Sequence, residues 1–171
     1  MFVEKGIDEL LEMLDEPELV YYYYRPSLPV GEALNNSSNN YEFWVNHCFW
    51  DMKHLNWFMY DNGLGFLLIP VSELLGNALI HGNSGAMHNA PNGDPLKSLS
   101  VKVFLAKNGL LVRVRNEGEG FDYKDVIDRF RNGREYASHV LGGNGMINFD
   151  HPDLLVSYED NGRTSNILYV F

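Results

Sequence analysis

A chain of 171 residues, 45% of them hydrophobic, can bury one core and fits a single domain, residues 1–171, better than two. Its formal net charge of -10 argues against sequence-independent binding to nucleic acid or to an anionic membrane, because both depend on clustered Lys and Arg. The lone cysteine, Cys48, excludes an internal disulfide, the acidic start MFVEKGIDEL lacks the pattern of a signal peptide, and the apolar run GFLLIPV is too short for a bilayer, so a cytoplasmic protein is expected.

In chain order, GIDELLEMLD (6–15) has helical periodicity. ELVYYYYR (18–25) is a predicted strand, since four successive tyrosines suit a pleated surface, and Pro26 and Pro29 end it. GEALNNSSNN (31–40) is polar and turn-forming, a loop. Tyr41, Trp44, Val45, Cys48, Met52, Leu55 and Met59 then repeat at helical spacing and predict one buried stripe. Phe43, Trp50 and Trp57 fall on the opposite side of that helix, so either the amino-terminal strand or helix covers them, or they form a homodimer or partner surface. Residues 1–60 thus form an aromatic-rich amino-terminal part.

Beyond it, Pro70 suits the first turn of a helix and Gly82 with Asn83 its end. LSVKVFLA and LLVRVR alternate as strands around a turn at Asn108-Gly109, and DLLVSYED and TSNILYVF repeat the design around Asn161-Gly162.

One helix breaks its own apolar rule. In SELLGNALIHGN (72–83), Glu73, Asn77 and His81 recur every fourth place, which stacks a carboxylate, an amide and an imidazole along one face. VRNEGEGFD (114–122) follows at a strand end, and GGNGM (142–146) precedes a short helical stretch. Gly118 and Gly120 allow tight backbone passage beside a flat ligand, and Gly143 and Gly145 leave N–H groups free at a helix start, where phosphates bind.

In that order, the three segments resemble the N-box and the two glycine boxes of the Bergerat-fold (GHKL) ATP-binding superfamily: ELLGNALIHGN the N-box, NEGEGFD the first glycine box and GGNGM the second. Bacterial anti-sigma-factor serine/threonine kinases and related stand-alone histidine-kinase-like ATPase domains are the nearest look-alikes, over roughly residues 64–171, with an insertion here around SGAMHNAP. The resemblance implies an α+β fold, a two-layer α/β sandwich with a mixed, mostly antiparallel sheet and helices on one face. It implies ATP between the N-box helix and a lid, Asn77 as ligand to Mg²⁺ and Glu73 as the carboxylate that activates the attacking hydroxyl or water. His81 would buttress the site, while Asn116, Gly118, Gly120, Phe121, Gly143, Asn144, Gly145 and Met146 would surround the nucleotide.

Asn116 stands where the family has an aspartate that accepts a hydrogen bond from the exocyclic amine of adenine; an amide oxygen can accept it without the strengthening of a charge. The lid stretch YKDVIDRFRNGREYASHVL carries Arg129, Arg131 and Arg134, and Pro152 shortens the helix after GGNGM. The implied activity is ATP-dependent phosphorylation of a small regulatory protein or sigma-factor-like partner; the alternative is a nucleotide-responsive interaction module. A histidine-kinase half is disfavoured, because no long dimerisation helix with an acceptor histidine is evident.

Overall fold

The computed structural model describes residues 1–26, 53, 55–80, 97–132, 149 and 151–171. Among these residues five strands form one sheet in the order β1-β2-β3-β5-β4: β1 (Glu18–Arg25), β2 (Leu99–Ala106), β3 (Gly109–Asn116), β4 (Leu154–Glu159) and β5 (Thr164–Val170). Every neighbouring pair is antiparallel. Among the described residues the parallel component is a single bridge, in which Phe2 lies beside Val156.

The helices are α1 (Ile7–Leu11), α2 (residues 55–61), α3 (Leu68–Ile80), entered through a 3₁₀ turn at Gly65–Leu67, and α4 (Tyr123–Arg131). The fold is α+β. Among the described residues no helix is long and apolar enough to cross a membrane.

Strand alternation divides the sheet into two faces. Val101, Val103, Leu110, Val112, Val114, Val156 and Ile167 point to one face and form the main core with Leu55 and Met59 of α2 and Val71, Leu74, Leu75 and Ala78 of α3. The helix stripe expected through Leu55 and Met59 is therefore buried at these two residues; Tyr41, Trp44, Val45, Cys48 and Met52 lie outside the described residues. Of the opposite aromatic set, Trp57 is 58% exposed, whereas its neighbour Phe58 stacks on Tyr21 of β1 with ring centroids 4.8 Å apart. Tyr21 thus covers the flank of the buried stripe at Phe58, and the side that carries Trp57 is left open to solvent at that residue. Phe43 and Trp50 are outside the described residues.

Helices do not all lie on one face. Leu10 and Leu14, from α1 and the turn after it, pack on Leu111 and Leu168, whose alternation points them to the other side. The helix expected over 6–15 covers only Ile7–Leu11, capped by Glu9, which accepts the Gly6 N–H at 3.0 Å. Tertiary contacts stop it early. The Asn108 side chain accepts the Asp15 N–H at 2.7 Å and donates to the Met13 carbonyl at 3.1 Å, and Lys107 pairs with Glu16. The β2–β3 turn thus captures the backbone groups that a longer helix would use.

Both hairpin turns differ in detail from the expected Asn-Gly form. Ala106 pairs with Gly109, so the first turn is Lys107-Asn108 and Gly109 begins β3. A Cβ at Gly109 would lie 2.5 Å from the Tyr169 carbonyl oxygen and 2.7 Å from Leu14, so close packing requires this glycine. The second turn is longer. Glu159 pairs with Thr164, and Asp160, Asn161 and Gly162 all have positive φ, at 53°, 57° and 78°. Asp and Asn tolerate that region better than most side chains, and glycine suits the third place.

A polar network crosses the face opposite the main core. Arg113 donates to Glu159 at 2.6 Å and to Asn166 at 3.0 Å, and Asn166 donates to Ser157 at 3.0 Å and to Glu159 at 2.8 Å. Asn166 is fully buried. Glu159→Ala removes the acceptor of two bonds and leaves the half-buried Arg113 cation without its counter-charge, so a loss of about 1–3 kcal/mol is expected in denaturant unfolding. Arg113→Met in the same background should recover part of that loss.

Candidate functional site

The polar stripe sits on α3, which rests on β3 and β5. Ile69, Glu73 and Asn77 are spaced by four and share one side of the helix. Ile69, at the start of that side, is 66% exposed, whereas Glu73 and Asn77 are half-buried. The polar members are thus more enclosed than the apolar one, the reverse of an ordinary solvated helix face. His81 lies outside the described residues.

Asn116 ends β3 on the face turned toward α3, in the alternation of Leu110, Val112 and Val114. It is 2% exposed. Its Oδ1 accepts the Gly118 N–H at 2.8 Å, closing a turn onto the backbone two residues on. Its Nδ2 donates to the Arg163 carbonyl at 3.2 Å, which also accepts the Asn116 backbone N–H at 2.9 Å. The Arg163 carbonyl therefore accepts two donors from position 116, and with a carboxylate there only the backbone N–H would remain to donate.

Asn116→Asp is accordingly expected to cost about 1–3 kcal/mol at neutral pH, through repulsion between the new carboxylate and the Arg163 carbonyl. Burial and that carbonyl favour the protonated acid, so the folded form holds its proton to higher pH than the unfolded chain. The deficit should shrink as pH falls through that range and grow as pH rises through it. Equal melting temperatures for the wild type and this variant at neutral pH would count against the assigned amide orientation.

The loop after Asn116 is zipped to the β4–β5 turn. The Phe121 N–H donates to the Asn161 carbonyl at 2.9 Å, and Gly120 has φ 80°. A Cβ at Gly120 would stand 2.1 Å from the Asn161 oxygen, and one at Gly162 would stand 2.6 Å from the Phe121 oxygen. The tight passage foreseen at Gly120 is used by the protein's own second hairpin. Gly118 serves as the donor to Asn116. Phe121 packs edge-on against Tyr158, with ring centroids 5.4 Å apart, and Tyr123, which opens α4, stacks on the same Tyr158 ring at 5.3 Å.

Of the three arginines expected in a lid, Arg131, which ends α4, donates to the Phe2 carbonyl at 3.3 Å and so is tied to the amino-terminal segment. The side chain of Arg129, and Arg134 with Gly143, Asn144, Gly145 and Met146, are outside the described residues. Sequence patterns did not disclose the part played by the turn at 160–163. Its Asn-Gly pair marked a hairpin, and nothing local marked the carbonyls of Asn161 and Arg163 as the anchors of the glycine loop.

Among the described residues, no three His, Cys, Asp or Glu side chains converge to hold a metal ion. No protein-family model matches the chain, and a search of curated proteins found no match.

Proposed function

We propose that this chain is a Bergerat-type (GHKL) domain that binds Mg·ATP and transfers its terminal phosphate to a serine or threonine of a small regulatory protein partner. The observation that carries this reading is the partial enclosure of Glu73 and Asn77 on α3, above a sheet whose β3 strand ends in a buried Asn116 and a glycine loop. Helix, strand end and glycines follow one another in the order of the boxes they resemble.

In this reading Asn77 would hold Mg²⁺ through its neutral side-chain oxygen; magnesium commonly uses few protein ligands, so a lone amide fits. Bound Mg²⁺ would neutralise charge on the phosphates. Glu73, one turn earlier, accepts the proton of the attacking hydroxyl. Asn116 keeps one lone pair on Oδ1 beyond its bond to Gly118, enough to accept from an exocyclic amine. His81, Gly143, Asn144, Gly145 and Met146 complete the site by resemblance.

The second reading is a module that holds nucleotide without transferring phosphate, and in it, as in the first, Asn116 must receive the base with an amide already used by the protein. Its amide is engaged on both atoms within the protein. The two readings share the nucleotide site and part at Glu73.

The test of the site is thermal. Mg·ATP at about a hundred times its dissociation constant stabilises a folded protein by about 2.7 kcal/mol. For a domain of this size that is a rise of roughly 5–10 °C in melting temperature. Asn77→Ala should remove most of the rise while changing the nucleotide-free melting temperature little, since the side chain is only half-buried. Absence of any rise with millimolar Mg·ATP would defeat both readings.

A further inference from the structure

The face of the sheet opposite α2 and α3 carries a groove that the nucleotide site does not use. On that face Tyr22 lies opposite Lys102 and Lys102 opposite Arg113, while Tyr24 lies opposite Ser100 and Ser100 opposite Arg115. These six side chains line one open depression, together with Glu117 and a few neighbours. Tyr22 and Tyr24 are 57% and 52% exposed.

Like charges directly across a ladder repel, so Lys102 facing Arg113 is an unfavourable pairing on stability grounds alone. Glu159 neutralises Arg113 at 2.6 Å. Lys102 has the Tyr22 ring, 5.9 Å from its Nζ, and among the described residues neither Lys102 nor Arg115 has an anionic partner. Two uncompensated cations beside two exposed phenol rings stand out in a protein of net charge -10.

We propose that this groove is a docking surface for an extended acidic segment of a protein partner, one whose every second side chain, the set that faces the groove, includes both carboxylates and aromatic or aliphatic groups. Charge complementarity selects the acid. An extended chain places every second side chain on one side, the same two-residue spacing that separates Tyr22 from Tyr24 and Arg113 from Arg115. The groove is open at β1, which is the edge strand of the sheet among the described residues. A polynucleotide fits less well. It brings a phosphate at every step against an acidic protein, and Glu117 stands in the groove itself. The proposal is independent of nucleotide binding.

Fluorescence anisotropy of the full chain with a fluorescein-labelled peptide of repeating Glu-Ser-Phe-Ser, which puts glutamate and phenylalanine on the same side of an extended chain, tests it. Saturable binding that weakens with added salt is expected, with little binding of a matching lysine–phenylalanine peptide. The double change Lys102→Glu and Arg115→Glu should weaken the acidic peptide by about tenfold or more. Tyr22→Ala with Tyr24→Ala should weaken it while keeping its salt dependence. The proposal is overturned if the acidic peptide does not bind, if the lysine peptide binds as well, if charge reversal leaves affinity unchanged, or if labelled oligothymidylate binds more tightly.

Discussion

Gly120→Ala is expected to destabilise the protein by about 3 kcal/mol or more, a fall in melting temperature of roughly 10 °C. Two costs combine. The residue has φ 80°, a region that costs an L side chain about 1–2 kcal/mol, and the new methyl would stand 2.1 Å from the Asn161 carbonyl oxygen, so loop and turn must part. Two other glycines separate these costs. Gly63 has φ 72° with nothing within 4 Å of a built Cβ, so Gly63→Ala reports the backbone cost alone, about 1 kcal/mol. Gly76, inside α3 and equally uncrowded, should gain about 0.5–1 kcal/mol as alanine. Thermal unfolding of the three variants checks the order. If Gly120→Ala behaves like Gly63→Ala, the zipper between the glycine loop and the β4–β5 turn is not a stability element.

The larger effect on activity is expected at Glu73. In the proposed kinase, Glu73→Gln keeps the shape of the side chain and removes its capacity to take a proton. Phosphate transfer should fall by about a hundredfold or more, the usual scale for a general base. Binding of Mg·ATP should survive, because the proposed metal ligand is Asn77, and so should the nucleotide-induced rise in melting temperature. Labelled phosphate moving from ATP to a co-purified partner measures the first quantity, and thermal unfolding the second. Transfer that persists undiminished in Glu73→Gln removes the carboxylate from the chemistry. A wild-type protein that binds Mg·ATP yet labels no partner supports the interaction module instead.

The pairing of Glu73 with Asn77 matters to both readings through its burial. Helical spacing alone puts the two side chains on one side, but spacing cannot tell a site from a solvated face. The enclosure does. Ile69, on the same side, is exposed while the two polar residues are half-buried, so on this side of the helix the polar groups are less open to solvent than the apolar one. That arrangement costs desolvation without a gain in apolar burial, the kind of local conflict often found at functional positions.

Residue patterns by themselves determined the strand at Glu18–Arg25 and the hairpin strands that follow, because alternation and β-branched or aromatic content are local properties. They also determined α3 and the shared side of Glu73 and Asn77, since a four-residue repeat on a helix needs no distant partner. Only the tertiary structure decided where the first helix stops, because the groups that stop it belong to Lys107 and Asn108, more than ninety residues later. It also put α1 on the far face of the sheet, fixed the turns, and gave Gly120 a neighbour. Asn116 shows the division most clearly. Sequence placed an amide at a strand end, but the carbonyl that demands its N–H comes from Arg163, 47 positions away, and a hydrogen bond across that separation exists only once the sheet has closed.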